Sequence, residues 1–130
     1  MPTTRLFVTI LLLFPAAAQA ETWVVDPAGG GDFTTITDAL TAASSGDVVQ
    51  VGPGAYVEDL NFLGKSVEVI GLGGSAATSL VGTGGADPVV RISNGEGAGT
   101  LLQGFDISGG NTATDTYFGG CVHVSGADPT

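Results

Sequence analysis

The amino-acid sequence predicts an all-β chain of stacked coils, a parallel β-solenoid, with one short helix near its amino terminus. Three observations carry this. Glycine fills 22 of 130 positions, more than twice the usual share of about 7% and without collagen's period of three, so tight turns are frequent and long helices are excluded. Short β-branched runs recur between the glycines, each with a polar residue flanked by apolar ones. Only one stretch has helical periodicity.

Residues 1–20 read as an export leader. Arg5 supplies a positive charge, Leu6 to Phe14 is apolar, and Ala18-Gln19-Ala20 is a small-x-small cleavage triplet before the polar Glu21. The apolar core is far shorter than the roughly 20 residues that span a bilayer, and Pro15 closes it. Cleavage after Ala20 leaves 130 − 20 = 110 residues with 13 acidic and 3 − 1 = 2 basic side chains, a formal charge of −11. The expected location is secreted or cell-surface, the periplasm included. Cys121 is the only cysteine, so no internal disulfide forms and packing alone must stabilise the exported domain.

Residues 21–47 hold an amino-terminal strand and the helix. Ile36, Ala39, Leu40 and Ala43 recur at i, i+3, i+4 and i+7, one apolar stripe. Thr35 with Asp38 resembles a capping box, and Gly46 sits where a left-handed stop is wanted.

Residues 48–130 are expected to form about four coils. The runs Val48 to Val51, Ser66 to Ile70, Val89 to Ser93 and Cys121 to Val124 centre on Gln50, Glu68, Arg91 and His123, at spacings that suit successive coils. Alternation then sends Val49, Val67, Val90 and Val122 inward as one row, and Val51, Val69, Ile92 and Val124 as a second. A second wall is expected from Tyr56 to Phe62, Thr78 to Gly82 and Leu101 to Ile107. A sandwich of hairpins would want two-residue Asn-Gly or Asp-Gly loops between neighbouring strands, and the sequence has none so placed.

Val25-Asp26-Pro27 through Asp38-Ala39-Leu40, followed by Gly46-Asp47-Val48-Val49-Gln50-Val51-Gly52-Pro53-Gly54-Ala55-Tyr56-Val57-Glu58, resembles the amino-terminal capping region of right-handed parallel β-helix proteins of the pectin lyase-like superfamily. Leu102 to Gly110 and Gly119 to Ser125 are similar to the coil repeats of its secreted bacterial members. The resemblance implies a right-handed parallel β-helix whose open end is closed by the short helix. The catalytic Gln, Asp and Arg residues of its pectin methylesterases, and the Asp clusters or calcium ligands of its polygalacturonases and pectate lyases, belong to later coils and are unmatched here.

Charge and motifs exclude several classes. Arg5, Lys65 and Arg91 are the only basic residues, too few to contact nucleic-acid phosphates or an anionic membrane. The glycine runs lack the strand, helix and following Lys of a phosphate loop. One His and one Cys fall short of a zinc ligand set, and His123 has no nucleophile assigned beside it. No cofactor is expected. The column Gln50, Glu68, Arg91, His123 reads either as a solvated face with a Glu68 to Arg91 pair or as a substrate face. Glu58, Asp59, Asp106 and Asp115 are the carboxylates to weigh for glycoside hydrolysis, with Glu58 more simply held inward by a hydrogen-bonded bend. The insertion between Gly109 and Gly120 offers Asp115, Tyr117 and Phe118 to hydrogen-bond and stack on a sugar ring.

The expectation is an exported bacterial scaffold, its partner a polysaccharide or cell-surface glycan, with no complete catalytic set in this segment. The alternative is the amino-terminal part of a polysaccharide lyase, glycoside hydrolase or pectinesterase. Ser125 to Thr130 carries no cap, so a longer parent protein is expected, as is end-to-end self-association of the truncated form through the last coil.

Overall fold

The computed structural model describes residues 19–85, 87–110 and 121–126. The elements in chain order are β1 (Thr22–Val25), α1 (Ile36–Ala42), β2 (Val48–Val51), β3 (Gly54–Val57), β4 (Leu60–Asn61), β5 (Glu68–Gly71), β6 (Thr78–Val81), β7 (Val90–Ile92), β8 (Leu101–Gln103), β9 (Asp106–Ser108) and β10 (Val122–Val124). Every strand pairing among them is parallel. The strands form three sheets, in the orders β1-β2-β5-β8, β3-β6-β9 and β4-β7-β10. From β2 onward the chain visits the first, second and third sheet in turn, three times over. Each strand therefore lies beside its equivalent one circuit earlier, so its backbone groups are paired without any hairpin.

The walls number three where two are expected. Tyr56 to Phe62 breaks into β3 and β4 around Glu58 and Asp59, and Leu101 to Ile107 breaks into β8 and β9. Gly104 makes the second break possible. Its φ is +83°, and a Cβ there would sit 2.5 Å from the Gly71 carbonyl oxygen one circuit below, so only glycine fits this corner.

The core is a column of aliphatic side chains between the walls. Val49 pairs in register with Trp23 and Val69, and Val69 with Leu102. Tyr56, Leu80 and Ile107 form the matching row of the second sheet, and Leu60, Val90 and Val122 that of the third. Of the eight aliphatics expected inside, Val49, Val51, Val67, Val69, Val90 and Ile92 are buried. Val122 and Val124 are 39% and 48% exposed, because β10 pairs on one side only among the described residues.

The expected single column of Gln50, Glu68, Arg91 and His123 is not formed. Gln50 lies opposite Ile70, and Glu68 lies between Val48 and Leu101 in the first sheet. Arg91 and His123 belong to the third. The reason is that alternation fixes which face a residue takes but not its register, since a slip of two residues leaves inside and outside unchanged.

The stripe Ile36, Ala39, Leu40 and Ala43 of α1 is buried at 0–2% exposure. The Thr35 hydroxyl accepts from the Asp38 N–H at 3.2 Å. The other carboxylate at this helix start comes from outside it: Glu58 accepts from the Ile36 and Thr37 N–H groups at 3.0 and 2.8 Å, satisfying two amides that no helix can pair internally. Glu58 is thus committed to structure, as its expected bend implied. Gly46 does have a positive φ of +97°, but it follows an extended cap at Ala43 and serves the turn that leads into β2.

Candidate functional site

The outer face of the third sheet gathers the polar residues. In β4 and β7 the side chains alternate, with Leu60, Val90 and Ile92 buried and Asn61 and Arg91 outward. Asn61 registers with Arg91, and Arg91 with His123. An amide, a guanidinium and an imidazole therefore stand on one face in consecutive strands, separated by the interstrand spacing of about 4.8 Å.

Beside this ladder lies a cleft of about 150 Å³ lined by Asp59, Leu60, Asn61, Asp87, Pro88 and Arg91. The Arg91 guanidinium is paired with Asp87 at 2.5 Å. The pair is local, four residues apart, and replaces the Glu68 to Arg91 contact that a shared column would have given. Asp59 is held in place by Thr83, whose N–H donates to Oδ1 at 3.1 Å and whose hydroxyl donates to Oδ2. Asn61 Oδ1 accepts from the Leu63 N–H at 2.9 Å and from Asn94 Nδ2 at 3.2 Å, which fixes its amide.

The structure thus brings Arg91 and His123 together and leaves Glu68 on a different sheet. Asp115, Tyr117 and Phe118 lie outside the described residues. Asp106 sits in β9 of the second sheet, exposed and in register with Ser79. Asp87, Asn61 and Asn94 are not among the candidate site residues read from the sequence. Asn61 had no signal beyond its polarity in an apolar run, and Asp87 none, because its role comes from how the bent segment ahead of β7 sets it beside Arg91.

The most deeply buried carboxylates among the described residues, Asp47 and Glu96, are 5% and 1% exposed and are occupied by backbone. Glu96 accepts from the Gly64 and Asn94 N–H groups at 3.0 and 2.8 Å. Asp47 accepts from the Ser44 N–H at 2.8 Å, the Glu21 N–H at 2.9 Å and the Trp23 indole N–H at 3.1 Å. The Ser44 and Glu21 amides hold its carboxyl below the ordinary value of 3.8, against the opposing effect of burial. Both carboxylates are therefore engaged in holding the chain around them.

Among the described residues no group of three or more His, Cys, Asp or Glu side chains gathers to hold a metal ion. No helix among them is long and apolar enough to cross a membrane. No protein-family model matches the chain, and no curated protein matches it.

Proposed function

We propose that this chain is part of an exported right-handed parallel β-helix of the pectin lyase-like kind, a surface or extracellular scaffold that holds a glycan along the outer face of β4, β7 and β10. The observation that carries the reading is the in-register ladder of Asn61, Arg91 and His123 beside the Asp59 and Asp87 cleft. Planar donors and acceptors repeated at a fixed spacing suit a polymer whose hydroxyls also repeat, and the sheet holds them rigidly without ordering cost on binding.

Three parallel sheets visited in turn support the fold, since parallel crossovers are right-handed in about 98% of cases. The leader-like residues 1–20 support export, and the formal charge of −10 disfavours nucleic acid as a partner. The reading assigns no bond-breaking step to this segment.

The test is a binding panel of plant and bacterial polysaccharides against the purified protein and its Arg91→Ala variant. Loss of a charge-assisted hydrogen bond is worth about 1.5–3 kcal/mol, so affinity should fall about 10- to 100-fold with the fold intact. A protein that binds no member of the panel, or binds equally well without Arg91, would show that this face is a solvated wall.

A further inference from the structure

Charge at this cleft dictates which glycans it can take. Lys65 and Arg91 are the two basic side chains among the described residues. Lys65 is committed elsewhere: its Nζ donates to the Leu40 and Thr41 carbonyls, both at 2.9 Å, at the carboxy-terminal end of α1, where cations are favoured. Arg91 alone is left to meet an anionic ligand, and Asp87 already occupies it at 2.5 Å. With Asp59 on the same cleft, two carboxylates and one guanidinium line it. The cleft is formally −1 on a chain that is formally −10.

We propose that the cleft takes uncharged, hydroxyl-rich glycans and rejects polyuronates, and that Asp87 is the residue that sets this selectivity. The proposal rests on the glycan reading above and names the substrate class of that site. A uronate carboxylate that met Arg91 would lie on a cleft already lined by the Asp87 and Asp59 carboxylates, so the repulsion acts as built-in discrimination. Hydroxyls face no such cost. A guanidinium has five N–H donors and Asp87 accepts only some of them, so the rest can donate to sugar oxygens while Asp59 and Asp87 accept from sugar hydroxyls. The uronate substrates that the pectin lyase-like resemblance implies are therefore the ones this surface turns away.

Oligogalacturonate and its full methyl ester share backbone and linkage and differ in whether each carboxyl is a free anion or an uncharged ester, which makes them the matched probes. They are titrated at low ionic strength into the protein, into Asp87→Asn, and into Asp106→Asn, which changes net charge equally from an exposed position on β9. The wild-type protein should bind the ester in preference to the free acid. Asp87→Asn should shift the ratio toward the acid tenfold or more, with most of that gain lost at 1 M salt, where the screening length is about 3 Å. Asp106→Asn should leave the ratio near the wild-type value.

Wild-type binding of the acid as tight as the ester, or an Asp87→Asn ratio equal to that of Asp106→Asn, overturns the proposal. Should the wild type bind neither probe nor any polysaccharide, the scaffold reading fails, and the Asp87→Asn arm still decides the electrostatic claim: acquired binding of the acid supports Asp87 as the gate, and continued silence refutes it.

Discussion

Asp47→Asn is the sharpest test of how the amino-terminal end is held. The Asp47 carboxylate joins three places in the chain: the residue ahead of β1 through the Glu21 N–H, β1 itself through the Trp23 indole, and the segment after α1 through the Ser44 N–H. Asparagine keeps one accepting oxygen and turns an NH₂ toward the remaining donors, leaving one or two N–H groups facing a donor. Each unsatisfied buried group costs about 1–3 kcal/mol, so the substitution should cost about 2–3 kcal/mol. For a domain of this size that lowers Tm by roughly 10–20 °C. Asp38→Asn, which alters an exposed acid in the first turn of α1, should cost less than about 1 kcal/mol. The pH dependence follows from the sign of the shift. The folded carboxyl titrates below its ordinary value of 3.8, so the stability it contributes is fully present above that value and is lost as pH falls through the folded one. The gap between wild type and Asp47→Asn should be wide at neutral pH and narrow as the pH falls below 3.8. Urea unfolding followed by tryptophan fluorescence reads the free-energy gap at each pH, and a thermal melt reads the Tm. A gap that is absent at neutral pH, or that persists unchanged in acid, would refute the reasoning.

Two further substitutions probe the stack. Val90→Asp puts a carboxylate into the closed row between Leu60 and Val122 at a cost of several kcal/mol and should abolish cooperative unfolding, whereas Arg91→Asp at the next, outward position should cost no more than about 1 kcal/mol; equal melting temperatures would show the faces to be misassigned. Gly104→Ala forces a side chain into φ +83° with its Cβ 2.5 Å from the Gly71 carbonyl oxygen, so about 2–4 kcal/mol should be lost, and a calorimetric Tm at the wild-type value would mean that this corner can open freely.

Much of the architecture is legible in the residues themselves. The apolar stripe of α1, the short alternating runs and the glycine-marked corners determine that the chain is mostly β, that one helix lies near the start, and that Val49, Val69, Val90 and Ile92 point inward. These are local properties, set by side-chain period and backbone freedom. Which strand lies beside which is not local. Gln50 opposite Ile70, a third wall, and Arg91 beside Asn61 and His123 depend on where each corner falls, and corner position slides by two residues without disturbing any inside-outside pattern. The roles of Glu58 at the start of α1 and of Asp87 on Arg91 were equally hidden, because a carboxylate's partner is chosen by the packed backbone and not by its neighbours in sequence. Residue type and period therefore determined the faces of this protein, and the tertiary stacking alone decided which polar groups share one.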